Sequence, residues 1–362
     1  MSNQQPIWKL HDWIPIKKLN KFDLHSLSEN PKAIHLLEKN QNKIDWSGLS
    51  KNPNAINLLE KNLDKIDWHY LSLNPNAISI LKKNQNKIDW INLSANPNAI
   101  HILKQNLDKI NWTNLSLNPN AIHILEQNLN KINWQKLSAN PNAMSMLEKN
   151  IDKIQWDYLS YNSNAINLLE KNQDKIDWFY LSSNPNPNVM PILEKNQDKI
   201  FWHNLSYNPN AISILEKNLD KIHWVQLSYN SNAISILEKN PDKINWINLS
   251  LNPNAVHILE KDIHKIEWIC LSGNPNAITI IEQNLDKIYW DYVSVNPNAI
   301  DLLKKNQNKI YWFDLSHNKS LFVLDYPAMM IAFEPIAREI IEYVWHPSRM
   351  DRWPEPAFED CY

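Results

Sequence analysis

The sequence predicts an all-α solenoid of about thirteen short units, and three observations predict it. Tryptophan recurs every 22 residues at Trp46, Trp68, Trp90, Trp112, Trp134, Trp156 and Trp178, then resumes after one fault at Trp202, Trp224, Trp246, Trp268, Trp290 and Trp312. Between tryptophans the same order of residues returns, Asn-Pro-Asn-Ala-Ile, Leu-Glu-Lys-Asn, Asp-Lys-Ile and Leu-Ser. A unit this short cannot bury its own apolar side chains. They must therefore pack against the same positions of the units before and after, which is the defining property of a solenoid.

Residues 1–23 precede the repeat and are expected to form an N-terminal cap, with Trp8, Leu10, Trp13, Ile14 and Ile16 covering the first unit. The repeat itself spans 24–318, and Leu24 takes the tryptophan position of a degenerate first unit.

Within a unit such as Asn52–Leu73, two helix starts are legible. Asn52 suits an N-cap and Pro53 the first helical position, and Ala55, Ile56, Leu59 and Leu63 follow at helical spacing. That helix is expected to end at Glu60-Lys61-Asn62, with asparagine taking a left-handed C-cap. A second, two-turn helix is expected to start at Asp64 or Asp67 and to run through Trp68, Leu71 and Ser72. Asn74-Pro75 then ends it, because the residue before proline disfavours helix. Ile66 and Trp68 stand two apart, which is strand spacing, so the Lys-Ile-x-Trp piece is expected to be extended or irregular. An α/β solenoid of leucine-rich-repeat type is the structural alternative. Against it, the unit lacks an alternating Leu-x-Leu strand. Each tryptophan is expected to bury on the order of 150–250 Å² between units.

The fault in the register is a two-residue insertion within 184–191, Asn-Pro-Asn-Pro-Asn-Val-Met-Pro. Pro191 falls where a helix should begin, so a shortened or bent helix and a local break in superhelical geometry are expected there. Residues 319–362 leave the repeat. Phe333, Ile336, Ala337, Ile340, Ile341 and Val344 trace an amphipathic helix expected to cap the last unit.

Composition narrows the function. Apolar residues make up 43%, while glycine occurs only at Gly48 and Gly273, too few for a phosphate-cradling loop. Lysine and arginine (37) nearly balance aspartate and glutamate (39), which leaves no field for gripping a polyanion and argues against nucleic acid. Cys270 and Cys361 are too few for a disulfide framework. No signal peptide and no stretch of about 18 apolar residues is present, so the expectation is a soluble, intracellular protein that is not secreted and has no membrane partner. Asn-x-Ser triplets such as Asn114-Leu115-Ser116 and Asn204-Leu205-Ser206 read as by-products of the repeat rather than glycosylation acceptors.

No residue stands out as catalytic. The serine after each leucine is copied into every unit, and a nucleophile needs a unique base and oxyanion donors. It is expected to make a helix-end hydrogen bond instead. His35, His101, His123 and His257 share one position but lie on separate layers, whereas a metal needs ligands converging on one point. No enzyme, no cofactor and no metal is expected.

What varies along a monotonous array is where specificity can reside, chiefly the two residues after each tryptophan and the one after each Leu-Ser. Tyr158, Tyr161, Phe179, Tyr180, Tyr207 and Tyr229 cluster at these positions in the middle units and are the candidate partner-binding residues. The thirteen tryptophans are assigned a structural role. A modular reader of single-stranded RNA, one base per helical repeat, is an alternative, but it requires a basic face that the sequence does not display.

The unit at Asn208–Ser228 resembles the repeat proteins encoded in multiple copies by large DNA viruses of amoebae and algae. The ending Glu342-Tyr343-Val344-Trp345-His346-Pro347-Ser348-Arg349-Met350-Asp351-Arg352-Trp353 looks like the helix plus His-Pro-x-Arg terminus of such proteins. The resemblance implies a viral origin and a repeat architecture, in host cytoplasm or virion, and transfers no catalytic or binding residue. The function expected is a non-catalytic scaffold for protein–protein interaction. A structural virion component packed against capsid proteins is the alternative.

Overall fold

A computed structural model of the chain describes residues 6–344. The His346-Pro347-Ser348-Arg349 ending and Cys361 lie outside the described residues. The architecture is the expected all-α solenoid, with two short helices per unit in regular alternation and strands only at the two ends.

The unit containing Trp90 shows why the chain folds this way. Asp89 accepts the Asn92 N–H at 3.0 Å and caps the helix Trp90–Ala95. The helix stops because Asn96, held before Pro97, is extended at φ −73° and ψ 115°. Asn96 Oδ1 then takes the Asn98 N–H at 3.0 Å, closing a turn that leads into the second helix, Ile100–Lys104. Extended residues join this helix to the next cap, Asn111, and the cycle repeats at Trp112.

Two local expectations need correction. The helix predicted from Pro53 begins at Ile56, because Asn52 spends its side chain on the Asn54 N–H at 3.0 Å in a turn rather than as a helix cap. Leu63 consequently lies beyond the helix and is exposed. The asparagine closing this helix is not left-handed, since no described residue has positive φ. Instead, Asn62 Nδ2 donates to the Leu58 carbonyl at 2.9 Å and satisfies the helix end through its side chain. The Ile-x segment before each tryptophan is extended as expected, with Ile88 at φ −63° and ψ 130°.

Each junction is built from the same buried parts. Leu49, Ala55, Leu59 and their equivalents are fully buried, as are the serine of Leu-Ser and the asparagine two residues after it. The serine does more than the expected back-bond. Ser50 Oγ donates to the Trp46 carbonyl at 2.7 Å and accepts the Asp67 N–H of the next unit at 3.0 Å. The asparagine forms a ladder. Asn74 Nδ2 donates to the carbonyls of Ser50 at 3.1 Å and Asn52 at 3.0 Å, both in the preceding unit.

The tryptophans sit at the edge of this core and are half-buried, with Trp312 alone reaching 9% exposure. A lysine from the following unit covers most of them. Lys65 Nζ lies 4.8 Å from the Trp46 ring centre and Lys109 Nζ 4.9 Å from Trp90. The Asp-Lys pairs expected to be only a solvated surface thus supply a row of cation–π contacts between units.

The insertion is absorbed without shortening its helix, contrary to the expectation. Pro187–Val189 make a 3-10 turn, and Pro191 becomes the second residue of a full six-residue helix, Met190–Lys195. There its missing N–H has no intrahelical partner to lose. The ladder continues through the fault, with Asn208 Nδ2 reaching the carbonyls of Ser182 at 3.2 Å and Asn184 at 3.0 Å.

The two ends meet each other. Strand β1 (Trp8–Leu10) pairs antiparallel with β2 (Phe322–Leu324), with Lys9 opposite Val323, and the Asp325 N–H extends the ladder to the Ile7 carbonyl at 2.9 Å. The seam reproduces a normal junction in register. Asn318 starts a unit as usual, donating to Ser294 and Asn296 at 2.9 and 2.8 Å, and Leu321 fills the alanine position, fully buried. The missing second half of that unit comes from the N-terminus. Phe22 takes the isoleucine position and stacks on Trp312 at 6.1 Å, while Lys18 covers the same ring at 5.3 Å. His317 then reaches Asp23 at 3.4 Å and Ser26 at 3.0 Å across the seam. The solenoid therefore closes into a ring of fourteen inner helices, from Leu24–Glu29 to Trp312–Leu315. The long helix Tyr326–Val344 leaves from this seam, and Ala332 and Phe333 border a groove of ≈ 610 Å³ with Pro31, Ile34, Pro53 and Ile56. It lies beside the first two units rather than over the last one alone, because closure brings those units next to the chain end. The side chains of Ile336, Ile340, Ile341 and Val344 lie outside those described.

Candidate functional site

Helices led by tryptophan pack directly on their equivalents in the neighbouring units all around the ring, whereas the second helices stand farther apart. In a closed ring of rigid units, the row with the shorter spacing lies at the smaller radius. The tryptophan-led helices therefore form the inner wall. Their leucine and serine, three and four residues after the tryptophan, point into the core, which turns the first, second and fifth residues toward the lumen. These are the variable positions of the repeat.

The six candidate residues all lie on this wall. Tyr161 is 53% exposed and Tyr207 52%, with Phe179, Tyr180 and Tyr229 also exposed and Tyr158 half-buried. Five of them, Tyr158, Tyr161, Phe179, Tyr180 and Tyr207, converge on one groove of ≈ 580 Å³, and Tyr229 extends it by stacking on Tyr207 at 5.5 Å. Rings touch edge to face at Phe179–Tyr180, 5.3 Å, the offset geometry that aromatic quadrupoles prefer. The Tyr158 hydroxyl accepts a hydrogen bond from Gln135 Nε2 of the preceding unit at 2.7 Å, which fixes that ring.

Sequence reasoning missed several members of this surface. Phe201, the residue before Trp202, meets Phe179 at 5.4 Å, and His203 and Gln226 line the groove 3.2 Å from each other. Residues preceding a tryptophan reach the wall of the unit before, so the position ahead of each tryptophan belongs among the variable ones. Tyr289, Tyr292, Tyr311 and Phe313 form a further exposed aromatic stretch in the last two units.

Charge on this arc is sparse. Asp157 is the one ionisable carboxylate lining the groove, and its Oδ1 accepts the Tyr158 N–H at 2.9 Å. The first, second and fifth positions from Ala139 to His317 carry no lysine or arginine. Elsewhere on the wall, Asp89 sits below the usual carboxylate range. Burial raises it, but the Asn92 N–H and the His69 ring, 2.7 Å away, outweigh burial. Cys270 is pushed up by burial and by nearby Glu267, the opposite of an activated thiol.

The remaining motifs have structural tasks. Ser116 is fully buried and Asn114 Nδ2 donates to the Ile91 carbonyl at 2.9 Å, so that Asn-x-Ser triplet is occupied by the repeat itself. His35 and His257 pair with Glu38 at 3.1 Å and Glu238 at 2.9 Å on separate layers. No helix among the described residues is long and apolar enough to cross a membrane. Compared with protein-family models, curated proteins and solved structures, the chain has no match.

Proposed function

We propose that this protein is a non-catalytic ring scaffold that holds a protein partner against its inner wall. The observation that carries this reading is the convergence of Tyr158, Tyr161, Phe179, Tyr180 and Tyr207 on one open groove at the positions where the repeat varies. Exposed aromatic clusters with small polar neighbours have the composition of interaction hot spots. The core positions are identical from unit to unit and carry stability; the wall is free to differ. A single-stranded RNA partner fits less well, because aromatic stacking platforms need a basic track for the phosphates and this arc has no lysine or arginine at its lumen-facing positions. In the setting implied by the resemblance to viral repeat proteins, the partner belongs to the infected cell or the particle.

The test is affinity capture with crosslinking, comparing the wild-type chain with a Tyr158→Ala, Tyr180→Ala, Tyr229→Ala variant of unchanged helical content. The expected result is a partner crosslinked between 139 and 229 and lost from the variant. Identical capture by both chains refutes the reading.

A further inference from the structure

The groove specifies more than a sticky surface, provided that the inner wall is the binding face proposed above. Equivalent positions on neighbouring inner helices are separated by about 8–10 Å, the usual distance between packed helices. A polyproline-II helix advances about 9.3 Å every three residues and returns the same face each time. One ligand residue in three would therefore meet each successive unit. A β-strand does not match, since its side chains alternate with a period of two. An α-helix repeats a face about every 10.5 Å over seven residues but is a straight rod. The wall is curved: fourteen inner helices share one full turn, so it bends by roughly 26° from one unit to the next. Polyproline II has no internal hydrogen bonds and can follow that bend.

The chemistry of the groove selects the charge of its occupant. Asp157 is surrounded by Tyr158, Tyr161 and Phe179 and has no lysine or arginine partner among the described residues. A carboxylate beside exposed aromatic faces favours a cationic side chain, which gains an ion pair and a cation–π contact together. The geometry points to an extended peptide of polyproline-II type with apolar residues every third position and one lysine or arginine, lying along the wall from Ala139 to Gln226 with its cation at Asp157.

Fluorescence anisotropy on the full chain tests this with labelled peptides of about fifteen residues built on a Pro-Pro-Leu repeat. One carries a central arginine, one glutamine in its place and one glutamate, and a fourth has the same composition as the arginine peptide with the three-residue spacing broken. The arginine peptide is expected to bind about tenfold more tightly than the glutamate and broken-spacing peptides. Asp157→Asn should bring it down to the glutamine peptide, and Tyr158→Ala with Tyr207→Ala should abolish binding of both. Circular dichroism on each variant confirms that the ring is intact. Equal binding of arginine and glutamate peptides, no effect of Asp157→Asn, or preference for a helical peptide or for single-stranded RNA would overturn the assignment. If none of the peptides binds while the wall variant still loses its captured partner, this assignment fails and the scaffold reading stands.

Discussion

At the residue scale, the recurring asparagine after Leu-Ser carries the array. Its amide is buried in every unit, donates to two carbonyls of the unit before and accepts an N–H of its own turn, as Asn118 does with Ser94, Asn96 and Asn120. Replacing Asn118 with leucine keeps the volume similar but strands three buried polar groups, each costing about 1–3 kcal/mol. A loss of about 3–5 kcal/mol on urea denaturation is expected, against less than about 0.5 kcal/mol for Gln127→Ala on the exposed outer face. The sequence held a sign of this role. Proline changes to serine at Ser163 and Ser231 and to lysine at Lys319, while the asparagine before it stays as Asn162, Asn230 and Asn318. A residue present only as a helix N-cap would tolerate serine, threonine or aspartate; one that must both donate and accept would not. The lysine over each tryptophan was harder to read, because the pair stands 19 residues apart and meets only once the units are stacked.

At the element scale, helix count and order were legible from periodicity, and boundaries less so. The Asn-Pro-Asn signal opens a turn rather than a helix, since the asparagine side chain is shared between its own turn and the preceding unit. The ends were the least legible. Trp8 and Leu10 read as cap residues, but nothing in a local pattern shows that residues 8–10 pair with 322–324 across the whole length of the chain.

That seam contains a charge whose effect on stability has a defined sign. Burial raises the Asp23 carboxyl, but the Ser26 hydroxyl, the backbone N–H groups of Ser26 and His25, and His317 together hold it below its usual 3.8. A depressed carboxylate stabilises the fold above its unfolded pKa and loses that contribution as pH falls through the folded value. Asp23→Asn preserves the cap and removes the charge. Wild type should therefore melt higher than Asp23→Asn at about pH 6, with the gap closing as pH drops below about 3.8. A gap that is constant from neutral to acid pH would show that the charge plays no part in the seam.

At the scale of the whole molecule, regularity and closure divide the labour. Identical junctions make the wall rigid, and closure makes the first and last units neighbours, so no unit is left with an uncovered apolar end. The wall can then vary without cost to the core. The candidate aromatics were legible because they break a repeat, yet that they line one concave surface emerges only from the ring. The inner wall exists only if the ring is closed. Closure is tested most directly by double electron–electron resonance between spin labels at Asn20→Cys and Lys319→Cys, with Cys270 and Cys361 replaced by serine. A closed ring predicts a single narrow distance of about 15–25 Å. An open array of about thirteen steps of 8–10 Å would separate the labels by several tens of ångströms or more, and a broad distribution beyond about 40 Å would contradict closure.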